Sequence, residues 1–196
     1  MKVVAQICLA VCLLLCPVMS HAAQTPLVTV QTAVNQVMAI LNDKALQGEE
    51  EAAKEKVKKI WVIVDGVFDY KKLSQQALGK NWRTITPEEQ EEFIRLFSRF
   101  LGQVYITKIS SFSDNTVNFA GEVALSDTVS EVRTKVRTAQ NEIPIAYRLT
   151  LKDGEWKVYD VIVEGVSLLN NYRSQFREIL AKKSMQSLLA QLREKV

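Results

Sequence analysis

The sequence predicts an α+β fold: a curved antiparallel sheet of about four strands, covered by N- and C-terminal helices around an apolar cavity. Three observations predict it. Apolar residues recur at helical spacing through most of the first half of the chain. From residue 116 the period drops to two. At Glu164-Gly165 the helical spacing returns. Helices, then strands, then helices is the order of an α+β domain with helices packed on a sheet. A curved sheet closed by helices on one face leaves a gap at its open end.

The first residues read as a leader and not as part of the fold. Lys2 gives a short positive region, and Val3 to Met19 is apolar apart from Gln6 and Pro17. Ser20-His21-Ala22 supplies the small residues of a cleavage site, which predicts a signal peptide over 1–22 and a single domain over 23–196. Cys8, Cys12 and Cys16 all fall inside the leader. Leu15 and Val11 precede the last two of these, where a lipid-modified cysteine needs a small residue. The exported chain would then rely on its apolar core and not on disulfides.

His21 is the one histidine, and it goes with the leader. Ser-His-Asp and Cys-His chemistry are thereby excluded from the exported chain, as is a zinc site of the usual ligands. No glycine-rich phosphate loop, nucleophile elbow or paired-acid motif is present. The expectation is a protein that is not an enzyme and has no cofactor. Beyond the leader, 24 basic residues face 22 acidic ones, a formal +2, which is no nucleic-acid footprint.

After Pro26, the stripe Val30, Ala33, Val34, Val37, Ile40 and Leu41 predicts the first helix, and Gly48 breaks it. The charged run Glu49–Lys59 reads as a solvated helix face. It passes into Ile60, Trp61, Ile63 and Val64, with Gly66 expected to end or bend the helix. Asp69 and Gly79 are the expected caps of a short third helix. Thr86-Pro87-Glu88-Glu89 is a helix start: Thr86 at the N-cap, Pro87 at N1, and Glu89 completing a capping box. The helix it opens carries Phe93, Leu96, Phe97, Phe100, Leu101, Val104 and Tyr105 on one broad face. That face reads as core packed on the sheet, or in part as the lining of a cavity.

The strands follow. Val117, Phe119, Gly121, Val123 and Leu125 alternate with polar or small residues. Val132, Thr134 and Val136 alternate with Arg133, Lys135 and Arg137, a cationic row that reads as a solvated face or, functionally, as a contact for an anionic headgroup. Ile143, Ile145, Tyr147, Leu149 and Leu151 form the third run, and Lys152-Asp153-Gly154 turns the chain into the fourth. Trp156–Val163 is apolar on both faces: strict alternation would place Trp156, Val158, Asp160 and Ile162 together. Ser167 then caps a helix carrying Leu168, Leu169, Tyr172, Phe176, Ile179 and Leu180, and Ser184 caps a last one.

Several segments together carry a family likeness. These are Phe68-Asp-Tyr-Lys-Lys-Leu73, Ala77-Leu-Gly-Lys-Asn-Trp82, Thr86-Pro-Glu-Glu-Gln-Glu-Glu-Phe93, and Trp156-Lys-Val-Tyr-Asp-Val-Ile-Val-Glu-Gly-Val-Ser-Leu168 running into Asn171-Tyr-Arg-Ser-Gln-Phe176. In this order, behind a leader, the chain resembles the periplasmic phospholipid-binding proteins of the MlaC type, also called toluene-tolerance auxiliary proteins. The resemblance implies a cone similar to the nuclear-transport-factor fold. It implies a monomeric periplasmic carrier with phospholipid as its cargo. The implied partners are an outer-membrane lipoprotein–porin complex and the MCE-domain subunit of an inner-membrane ABC transporter, and the implied role is maintenance of outer-membrane lipid asymmetry. Related members are linked to hopanoids, so another hydrophobic lipid is the alternative cargo.

The expected lipid-binding wall has three parts. Val161, Val163, Val166, Leu169, Tyr172 and Phe176 come from the last strand and the helix after it. Phe97, Phe100, Leu101, Val104 and Tyr105 come from the capped helix, and Tyr147 and Leu149 from the sheet. Arg173 is the candidate headgroup contact. Gly165 and Gly102 are candidate flex points, with relief of crowding as the other reading of Gly102. The competing class is an isomerase using Asp160 with Tyr147 or Tyr159 in an apolar pocket. A further alternative is a scaffold that binds only protein and has a solid core.

Overall fold

The computed structural model describes residues 24–46, 48, 50–109 and 116–196. The expected signal peptide over 1–22 lies outside the described residues. These hold six α-helices and one antiparallel sheet: α1 (Pro26–Leu41), α2 (Glu50–Val67), α3 (Tyr70–Leu78), α4 (Pro87–Ile109), α5 (Leu168–Leu180) and α6 (Met185–Arg193). The curved sheet is a meander in the order β1 (Thr116–Ser126), β2 (Val129–Arg137), β3 (Glu142–Lys152), β4 (Glu155–Val163) and β5 (Val166–Ser167). The fifth strand was not expected. It is only two residues long, too short to show a period.

The helix ends follow the capping chemistry. Asp69 Oδ1 accepts from the Lys72 amide, and Gly79 closes α3 with φ 56°. The Thr86 amide donates to Glu89 Oε2 at 2.9 Å while Glu89 donates its amide to Thr86 Oγ1 at 3.3 Å, so the capping box is complete. Ser167 and Ser184 cap α5 and α6. Gly66 is the penultimate residue of α2, which ends at Val67, within one residue of the expected stop.

Three register shifts interrupt the ladders, at Phe119/Gly121, Ala124/Ser126 and Arg148/Leu149, and the first and last re-aim the strands. Between Phe119 and Gly121 the β1–β2 register shifts, with Gly121 at φ 101°. Val117 and Phe119 lie across from Val136 and Thr134, but beyond the bulge Glu122 and Ala124 take that face. Val123 and Leu125, expected to share the inner face, are turned outward and stand 40% and 51% exposed. Between Arg148 and Leu149 the last shift sets Leu149 against Val158 but Tyr147 against Val161. Trp156, Val158, Val161 and Val163 therefore share the inner face, and Asp160 leaves the face that strict alternation gave it.

Three packed regions hold the fold. On the inner face, Val30 of α1 meets Val132, Leu149 and Val158. Leu41, Ile60 and Ile106 join α1, α2 and α4. The largest region joins α3, α4, α5 and α6 with Tyr159, which points to the side of β4 away from Val158. As expected, β4 is covered on both sides. The α4 stripe, though, is buried mainly against other helices and not against the sheet: α4 packs on α2, α3 and α6. Arg193 of α6 forms a two-pronged pair with Glu92 of α4, at 2.8 Å for each bond.

Candidate functional site

The strand-to-helix corner is built around one buried carboxylate. Asp160 is fully buried at the end of β4. Its Oδ1 accepts the Leu169 amide at 2.9 Å and its Oδ2 accepts the Ser167 hydroxyl at 2.7 Å. That hydroxyl in turn accepts the Asn170 amide. The carboxylate thus satisfies one free amide at the N-terminus of α5 directly and positions the hydroxyl that satisfies a second, where a negative charge is favourable. Arg148 stands 3.9 Å away and also donates to Glu131 at 3.3 Å. Both carboxylate oxygens are committed to holding α5 on the sheet, which is a different task from proton abstraction in an apolar pocket.

Beyond this corner the expected wall residues separate into groups. Phe97, Leu101, Leu169, Tyr172 and Phe176 are buried together, with Phe100 and Tyr105 packed against them. Their rings interlock. Phe97 meets Phe176 edge-on at 5.1 Å and Tyr172 at 5.2 Å, Phe93 meets Phe176 at 5.4 Å, and Phe100 meets Tyr172 at 5.7 Å. Edge-to-face spacings of this size are those of a filled core. This half of the wall is interior packing in the structure. Burial raises the Tyr172 hydroxyl above its ordinary pKa, and its hydrogen bond to Tyr105 raises it further.

Tyr147, Leu149 and Val161 lie apart from that block, on the inner face of the sheet. Leu149 is fully buried, while Tyr147 and Val161 are half-buried beside Phe119, Trp156 and Val34. Burial also raises the Tyr147 pKa, against a smaller opposing effect of its hydrogen bond to Thr134. Val104 is half-buried on α4. Val163 and Val166 flank the Glu164-Gly165 turn and are 40% and 63% exposed. Arg173 donates Nε to the Gln76 carbonyl at 2.7 Å, which ties α5 to the last turn of α3. Nothing in the sequence at position 173 distinguishes that anchor from a headgroup contact.

An open depression lies elsewhere. About 380 Å³ in volume, it is lined by Phe68, Asp69, Tyr70, Lys71, Lys152 and Lys157, among others, beside β4. It is a polar site. Lys152 pairs with Asp69 at 3.2 Å, and Lys157 pairs with Glu155 at 2.7 Å. Among the described residues no cluster of His, Cys, Asp or Glu could hold a metal ion, and no helix is long and apolar enough to cross a membrane.

The model of the MlaC protein family matches residues 31–194. The chain belongs to the MlaC family. It is 27% identical over 124 residues to the intermembrane phospholipid transport system binding protein MlaC of Haemophilus influenzae, covering 61% of this chain and 58% of that protein. The match thus spans little more than half of that relative. The chain is also 26% identical to the toluene tolerance protein ttg2D of Pseudomonas putida, over 85% of this chain and 78% of that one. Among solved structures it is similar to the phospholipid-binding protein of Ralstonia solanacearum in complex with a phospholipid. That likeness has a TM-score of 0.76 and 28% identity, and covers 88% of this chain and 97% of the other.

Proposed function

We propose that this MlaC-family chain is a periplasmic phospholipid carrier and not an enzyme. It takes lipid from one membrane complex and delivers it to another, which maintains the lipid asymmetry of the outer membrane. The observation that carries the reading is the fold shared with a relative that was crystallised with a phospholipid. The proposed docking partners are an outer-membrane lipoprotein–porin complex and the MCE-domain subunit of an inner-membrane transporter.

The physics requires no covalent step. An acyl chain of about fifteen methylenes exposed to water costs on the order of 12 kcal/mol, at ~0.8 kcal/mol per CH₂. A carrier that offers apolar surface offsets most of that cost. The proposed surface is the inner face of the sheet at Phe119, Tyr147 and Val161, where Leu27 and Val34 of α1 pack against it. All five are half-buried apolar side chains, which supports a lining in place of a sealed core. Loading and release then need α1 and the sheet to move apart. The ring cluster of Phe93, Phe97 and Phe176 holds α4 and α5 together as a unit.

The test is organic extraction of chain purified from the periplasm, followed by mass spectrometry. Co-purified glycerophospholipid in near-stoichiometric amount is the expected result. An empty extract from folded protein, or a cargo of another lipid class, overturns the reading.

A further inference from the structure

We infer that β1 is a docking edge for an extended acidic segment of a partner protein, which adds to the sheet as one more strand. β1 is the outermost strand and pairs only with β2. It is 11 residues long. It carries a single charge, Glu122, and contains neither Lys nor Pro, the residues that usually blunt an edge. Among the described residues it makes no backbone–backbone hydrogen bond outside the β1–β2 ladder. One row of its N–H and C=O groups therefore faces outward, ready to pair with an added strand.

Charge decides what kind of strand fits. Arg133, Lys135 and Arg137 lie one strand in from this edge, with side chains 56%, 52% and 66% exposed. The register sets them against Gly121, Asn118 and Thr116, all short and uncharged. No long β1 side chain stands between the cations and the edge. Strands lie about 4.8 Å apart, so side chains of an added strand on this face would start about 9.6 Å from the β2 backbone. Arg or Lys reaching outward and Glu reaching inward close that gap. Lys135 and Arg137 share the single carboxylate of Glu142, and Arg133 and Arg148 share Glu131. The row is left with excess positive charge. Val123 lies on the same face beyond the bulge and adds exposed apolar surface.

A second copy of this chain fits the edge less well. Antiparallel pairing of β1 with itself sets two cationic rows on one face. The register shifts after Phe119 and Ala124 also break the edge into short runs, which disfavours indiscriminate pairing.

The test titrates purified chain lacking residues 1–22 with a short peptide alternating Glu and Val, and with one alternating Lys and Val. Backbone amide shifts are followed by NMR. The acidic peptide is expected to shift amides of β1 and β2, to bind less tightly as salt rises, and to lose at least about tenfold in affinity when Lys135→Glu and Arg137→Glu are combined. Asn118→Glu, which leaves the cations in place and sets a carboxylate between them and the edge, is expected to act in the same direction and serves if the double variant misfolds. Four outcomes overturn the inference: no shifts in β1, equal affinity for the two peptides, undiminished binding by both variants, or dimerisation of the unliganded chain through this edge. Anionic vesicles that bind through the same cations while the peptide does not would assign the row to headgroups and overturn it as well.

Discussion

The indole of Trp61 lies directly over Gly102. A Cβ at position 102 would stand 1.6 Å from Cζ3 of that ring. Gly102 is therefore a socket that lets α2 approach α4, not a flex point. Trp61 also stacks with Tyr70 at 6.4 Å, and Tyr70 with Phe68 at 5.5 Å, so a short ladder of rings joins α2 to the start of α3 and the edge of β4.

Gly102→Ala is expected to destabilise the fold by about 2 kcal/mol or more through overpacking, measured by urea unfolding. Trp61→Leu combined with it should recover part of the loss. A double-mutant cycle with no coupling between positions 61 and 102 would contradict the contact.

Asp160→Ala removes the acceptor for the Leu169 amide and the Ser167 hydroxyl and leaves Arg148 with one fewer carboxylate. A loss of about 3 kcal/mol is expected, because buried donors are stranded. Asp160→Asn keeps one acceptor oxygen and should lose less. Equal losses for the two would mean that charge, and not hydrogen bonding at α5, is what matters.

Alkaline pH should unfold the chain for a stated reason. Burial raises the pKa of Tyr70, Tyr147, Tyr159 and Tyr172 above the ordinary 10.0. Below pH 10.0 these tyrosines are neutral in both states and their contribution is complete. Above it the unfolded chain releases protons that the folded chain still holds, so stability falls as pH rises towards the raised values. The slope of stability against pH above 10 should become shallower in Tyr172→Phe. An unchanged slope would show that this residue ionises freely in the fold.

Val161→Glu puts a charge on the inner face and is expected to lower co-purified lipid several-fold, since an unpaired carboxylate in an apolar lining is costly. Val166→Glu, at a position 63% exposed, should leave lipid content unchanged. Circular dichroism checks that both variants fold. Equal lipid in the two would place the acyl chain elsewhere.

Local chemistry in the sequence determined the order of elements and most helix ends. Thr86 with Glu89, Asp69, Ser167 and Ser184 are caps whose partners lie within a few residues, so the chain itself states where those helices begin. The two-residue period likewise marked the four long strands. Which face each strand presents was decided by the tertiary structure. The bulges at Gly121 and opposite Leu149 insert one residue on one strand only, and their positions depend on the partner strand. The partner of the α4 stripe was settled the same way. Periodicity shows that a face is buried but not what buries it. Phe97 and Phe100 look alike in sequence whatever they face; the fold sets both against Tyr172, and Phe97 against Phe176 as well.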